Sequence, residues 1–148
     1  MRHLLPLTAL ALVGLIACDD DDPSDVTDGC NLEAAFRVDG DGRCASGFAE
    51  TTVLTGSSTQ TLFTLTGPER ELLTISVVDL ADGDNDIAAG AAEYVDEAGV
   101  AYVSLAGGIL TAEEISADFE GNFFFDAVAA SGDTVSVTDG VIENLRFR

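Results

Sequence analysis

The chain has 148 residues, with 27 Asp and Glu against six Arg and no Lys, one His, no Trp and a formal charge of −21. A surface this acidic excludes nucleic acid as a partner, because phosphate contacts need clustered cations, and it disfavours anionic lipid headgroups for the same reason. The single His is His3, so Ser–His and Ser–Lys nucleophilic designs are closed to the rest of the chain.

In chain order, the first element is a targeting segment. Arg2 supplies a positive start, and Leu4 to Ala17 is an apolar run broken only by Pro6 and Thr8. As a helix that run would reach roughly 21 Å, short of the ~30 Å hydrocarbon core of a bilayer. The length suits a cleaved signal peptide, residues 1–17, better than a resident span. Leu15-Ile16-Ala17-Cys18 resembles a lipobox, in which the Cys thiol takes a diacylglyceryl group and cleavage leaves that Cys as the new N-terminus. Cys18 is therefore the expected lipidation residue, against the plainer alternative of a secretory signal followed by an incidental Cys. Two or three acyl chains anchor stably, at ~0.8 kcal/mol per buried methylene.

Residues 18–29 continue as Asp19 to Asp22 and then Pro23-Ser24-Asp25-Val26-Thr27-Asp28-Gly29. Charged, self-repelling and nearly free of apolar side chains, they read as a disordered tether. The acidic run resembles the export signal that sends Bacteroidota lipoproteins to the cell surface. The expected location is thus the outer membrane, at the cell surface, with the membrane as a partner through the lipid. The alternative is the periplasmic face of the inner membrane, because Asp directly after the Cys means retention there in enterobacterial sorting.

Residues 30–148 read as one all-β domain. Two cysteines remain in an oxidising compartment, and Cys30 and Cys44 are the expected disulfide. No cofactor is expected. Turn signals recur at short intervals: Asp39-Gly40-Asp41-Gly42, Thr55-Gly56-Ser57-Ser58, Gly67-Pro68, Asp82 to Asp86, Glu97-Ala98-Gly99, Gly107-Gly108, Ser131-Gly132-Asp133 and Asp139-Gly140. Between them lie Val-, Ile-, Thr- and Phe-rich runs at 33–38, 44–54, 60–66, 71–80, 91–95, 100–105, 109–128 with a break and 134–147 with a break. This spacing predicts an antiparallel β-sandwich or partly open barrel of about eight strands, mostly joined by hairpins. Helix is the weaker reading throughout; only Thr111-Ala112-Glu113-Glu114 resembles a capping box, and no amphipathic run follows it.

The clearest alternation runs from Ile115 to Ala127. Odd positions carry Ile115, Ala117, Phe119, Gly121, Phe123, Phe125 and Ala127, while the even ones carry Ser116, Asp118, Glu120, Asn122, Phe124 and Asp126. With period 2 the odd set faces a core and the even set faces water. Phe124 is the exception on the wet face and the candidate contact residue, unless a bulge or bend at Gly121 shifts the phase.

Other constellations are weaker. Asp82, Asp84 and Asp86 stand at i, i+2 and i+4, and Glu93 falls where a twelve-residue calcium loop has its bidentate Glu. The sixth position is Ile87 rather than Gly, so a solvated acidic hairpin loop is the better reading and no metal is expected. Asp39 and Asp41 form a second, weaker calcium candidate. Asp118 with Glu120 offers a carboxylate pair of the kind used in glycoside hydrolysis, but adjacent same-face strand positions without a Trp to stack a sugar read as a polar row. Tyr94 and Tyr102 could form a small binding platform, although strand aromatics more often pack their own sheet. The chain is not read as an enzyme.

Gly121-Asn122-Phe123-Phe124-Phe125-Asp126-Ala127, followed by Gly132-Asp133-Thr134-Val135-Ser136-Val137-Thr138-Asp139-Gly140, resembles a family of uncharacterised β-rich lipoproteins in Bacteroidota and relatives. Their shared ending reads G-x-F-x-F-x-A, a turn, then G-D-T-V-x-V-T-x-G and a last aromatic strand. The likeness weakens upstream, through Gly90 to Tyr94 and Ala101 to Gly108. Where the family has an aromatic near a V-N-G turn, this chain has Val38-Asp39-Gly40 and then Cys44. The resemblance implies a secreted β-domain of unknown ligand and carries over no catalytic residue. Two functions of different class follow: a non-catalytic binding or accessory module with an envelope protein partner, or a structural envelope lipoprotein without a specific ligand.

Overall fold

A computed structural model describes Cys30 and residues 32–148. The signal peptide, Cys18 and the tether lie outside the described residues. Ten strands follow one another: β1 Ala34–Val38, β2 Asp41–Val53, β3 Thr59–Thr66, β4 Leu72–Val78, β5 Gly83–Ile87, β6 Ala92–Val95, β7 Ala101–Ser104, β8 Gly108–Ile115, β9 Asp118–Ala129 and β10 Thr134–Arg146. No helix occurs among the described residues, and Thr111 to Glu114 belongs to β8.

Of the two expected architectures the chain adopts the barrel. Eight antiparallel strands close in the order β10-β1-β2-β3-β4-β6-β7-β9, and β9 pairs back onto β10. The remaining two extend from the side: β8 pairs with the first half of β9, through Ile109–Phe124 and Ile115–Phe119, and β5 pairs with β8. The same edge of β9 is taken higher up by β7, through Tyr102–Ala129 and Ser104–Ala127. Strand β9 thus has three neighbours.

Period 2 explains what fills the ring. Thr61, Phe63 and Leu65 of β3, Leu73, Ile75 and Val77 of β4, and Phe119, Phe123, Phe125 and Ala127 of β9 all point inward and are buried. Aromatic rings dominate the interior. Phe63 meets Phe119 edge-on at 4.7 Å between centroids, and Phe36 lies 6.1 Å from Phe123 and 6.3 Å from Tyr94. Such pairs add roughly 0.5–1.5 kcal/mol to the burial they already contribute. The bore they occupy is a packed core.

Three expectations need correction. The stretch Asp82 to Asp86 is mostly a strand rather than a hairpin loop. Asn85 and Ile87 turn inward, and the Asn85 amide donates to the carbonyls of Ala81, Gly83 and Leu110 while accepting from the Ala81 N–H. A buried amide satisfied on every side fixes the backbone there, which the acidic composition concealed. Strand β5 ends the sheet; being five residues long with Asp84 and Asp86 on its outer face, it has the shortness and charge that discourage further strand pairing. Second, the continuous alternation expected from Ile115 breaks at Ser116–Ala117, and β9 starts at Asp118.

Third, Gly121 is neither the bulge nor the bend expected there; the bulge sits on the facing strand. The extra residue is Glu113 of β8, between the pairs Ala112–Gly121 and Glu114–Glu120. Gly121 itself stays in phase, and its lack of a side chain is required because a Cβ there would collide with the Thr111 carbonyl oxygen. Strand β9 therefore keeps its alternation to the end. Strand β10 does not: its register shifts at Thr138–Asp139 and again at Glu143–Asn144, with Asp139 and Asn144 at φ 50° and 53°. Each shift moves the inward face by one residue, from Val135 and Val137 to Gly140 and Ile142, then to Leu145.

The Cys30–Cys44 disulfide is present, with Cα atoms 5.6 Å apart, and ties the start of the domain to β2.

Candidate functional site

The unbroken phase of β9 places Phe124 outward, and it is 50% exposed. Opposite it, the Thr138–Asp139 shift interrupts β10 between the pairs Phe125–Val137 and Phe123–Gly140. Two residues there face one, the strands splay, and a depression of about 420 Å3 opens on the outer wall. Phe124, Thr111, Asn122, Thr138, Asp139 and Gly140 line it, and its surface is mainly apolar. Gly140 is needed at the floor: a Cβ would come within 2.6 Å of the Phe123 ring, which packs on it from inside.

One carboxylate, Asp139, lines this depression, and three more stand on the neighbouring wall. Asp139 is 3.5 Å from Arg37 Nε. The Thr111 hydroxyl donates to Asp84 (2.7 Å), Asn122 Nδ2 donates to Glu113, and the Ser136 hydroxyl donates to Asp126 (2.6 Å). Thr111 and Asn122 belong to the lining, so Asp84 and Glu113 stand next to it, and Asp126 follows Phe124 by two residues on the outer face of β9. Ile109 faces Phe124 across the β8–β9 pairing, and Val103 faces Val128 higher on the same wall.

A second polar feature closes the end of the barrel marked by the β1–β2, β3–β4 and β6–β7 turns. Glu71 is buried, lies 2.7 Å from Arg43 Nε, and accepts a hydrogen bond from the Tyr94 hydroxyl at 3.1 Å. Burial, with the Glu71 charge beside it, pushes the Tyr94 phenol up to about 12. Burial works against the Arg43 charge, but hydrogen bonding to Tyr94 and the Glu71 carboxylate outweigh it and hold the guanidinium above its ordinary value. A phenol this weakly acidic is a poor proton shuttle; the trio works as a clasp joining β2 and β6 to the start of β4.

The remaining sequence candidates do not converge. Glu93 lies on β6, which the sheet order separates from β5 by three strands, so it stands apart from Asp84 and Asp86. No group of three or more His, Cys, Asp or Glu among the described residues is arranged to hold a metal ion. Asp39 accepts from the Ser136 N–H at 2.8 Å, and Asp41 lies 4.0 Å from Arg43. Asp118 and Glu120 sit on the outer face of β9, opposite Arg146 and Glu114. Tyr94 and Tyr102 are cross-strand partners with centroids 6.2 Å apart, but Tyr94 is buried in the core, so the pair makes no open platform.

Arg43 and Glu71 escaped the sequence reading although a signal existed. Glu71 is in phase with Leu73, Ile75 and Val77, and Arg43 with Ala45 and Ala49, so period 2 alone turns both inward. Comparison with protein-family profiles, curated proteins and solved structures returned no match.

Proposed function

We propose that this protein is a lipid-anchored envelope module that binds and does not catalyse, held at the outer membrane through Cys18 and meeting an envelope protein through the wall around Phe124. The observation that carries the reading is a half-exposed Phe beside a mainly apolar depression, flanked along its strand face by Asn122 and Asp126. An aromatic left in water contributes less to stability than one in the core, and apolar surface with a polar rim is the ordinary anatomy of an interface. The packed bore supports the same reading, because it leaves the outer wall to do the binding. From Cys18 onward the chain has neither His nor Lys to serve as a base.

A photo-crosslinking residue placed at position 124 in intact cells tests it. The expected result is a discrete crosslinked adduct in the membrane fraction, absent when the same residue replaces Thr52 on the far wall, and loss of the protein from membranes on Cys18→Ser. An absence of adducts at 124 would favour an envelope lipoprotein with a purely structural role.

A further inference from the structure

Charge narrows the kind of partner that the Phe124 wall can take. Between Cys30 and Arg148 there are 21 acidic residues, five Arg and no Lys. A second copy of this chain would bring the same sign of charge to the contact, and an anionic headgroup or polyanion would be repelled. The wall repeats the pattern locally: Asp139 lines the depression, Asp84 and Glu113 accept from the lining residues Thr111 and Asn122, and Asp126 follows Phe124 by two residues on the outer face of β9, with Arg37 paired to Asp139. A ligand that matches both parts needs an apolar stem ending in a cation.

Resting on the reading above, we propose that the depression receives a Lys or Arg side chain presented by a partner protein. The aliphatic stem lies against Phe124 and the Gly140 floor, and the ammonium or guanidinium reaches the carboxylates of the wall. Long basic side chains bury their methylenes while keeping the charged head in polar surroundings. The exposed Phe124 ring offers a cation an attractive face of roughly 0.5–1 kcal/mol. The volume, about 420 Å3, accommodates one such side chain with its neighbouring backbone.

Two short peptides test the chemistry on the mature protein, with binding followed by the amide resonances of Asn122 to Phe124 and Thr138 to Gly140. They are acetyl-Gly-Lys-Leu-Lys-Gly-amide and the same with both Lys replaced by Ser. The first is expected to saturate those resonances at least tenfold more tightly than the Ser peptide and to weaken as salt rises. Phe124→Ser is expected to cost it tenfold or more, while Asp133→Asn, an acid away from the wall, leaves it unchanged. Equal binding of the Ser peptide would overturn the need for a cation. Undiminished binding to Phe124→Ser would overturn the site, and spermidine saturating the same resonances as tightly as the Lys peptide would overturn a protein side chain as occupant. If the crosslink at position 124 forms while the peptides fail, the partner's chemistry is wrong and the interface stands; if the crosslink fails too, the interface itself falls.

Discussion

Replacing Phe124 by Ala separates an interface residue from a core residue by size of effect. Burying a Phe side chain completely contributes about 1.5–3 kcal/mol, and Phe124 keeps half its surface in water, so its truncation should cost ~1 kcal/mol. No cavity term adds to this, since the wall is open to solvent. Phe119, fully buried against Phe63, should cost ~3–5 kcal/mol on the same change, because a void remains. With an unfolding entropy of about 2.1 cal/mol/K per residue, the domain loses ~0.25 kcal/mol/K, which converts the two changes to Tm shifts of about 4 °C and 12 °C or more. Thermal and urea unfolding followed by circular dichroism measure both. A loss at Phe124 as large as that at Phe119 would show that the ring is core after all and would refute the assignment of this wall as a contact surface.

Reducing the Cys30–Cys44 bond removes a constraint on a short loop, worth ~3 kcal/mol on the chain-entropy estimate. The Tm should fall by about 12 °C with the far-ultraviolet signature of the sheet retained below it; a fall of only a degree or two counts against the estimate. Hydrogen bonding to Glu69, with the charge of that neighbour, holds the Glu97 carboxyl above the usual carboxylate range. A folded pKa raised in this way contributes stability that is full below the unfolded value near 4.3 and is lost as pH rises through the folded one. Glu97→Gln should accordingly raise Tm at pH 7 and match the unmodified protein near pH 4, and an equal gap at both pH values would rule out a shared proton. Calcium at millimolar concentration should raise Tm no more than magnesium at equal ionic strength, since Asp84 already accepts from Thr111 and Glu93 stands on a distant strand. A micromolar calcium affinity abolished by Asp84→Ala would reverse that reading.

The strands were legible wherever one face is apolar and the phase holds, as in β3, β4 and β9. Phe124 could be placed outward from alternation alone because the neighbouring bulge falls on Glu113 of β8 and leaves β9 in phase. Strand β5 was not legible, since its inward residues are one Ile and one Asn, and an Asn is recognised as core only when the carbonyls that satisfy it are known. The depression was hidden for a similar reason. It is made by the shift at Thr138–Asp139 facing Phe124, and neither strand records which residue of its neighbour it will meet. The Arg43–Glu71–Tyr94 clasp joins two strands to the start of a third, and period 2 turns each residue inward without revealing that they touch.

The pairing of β1 with β10 makes the last of the ten described strands the one that shuts the ring. Whichever strands fold first, β1 waits with one bare edge until β10 is available; such distant pairing is a slow step and leaves strand edges open to aggregation meanwhile. The Cys30–Cys44 bond can form long before that, because β1 and β2 meet in a local hairpin, and it holds the waiting strand against its neighbour. A chain cut short before Thr134 would therefore be no smaller barrel: it would expose β1 and the full length of β9 as two unpaired edges, and the expected product is an aggregate.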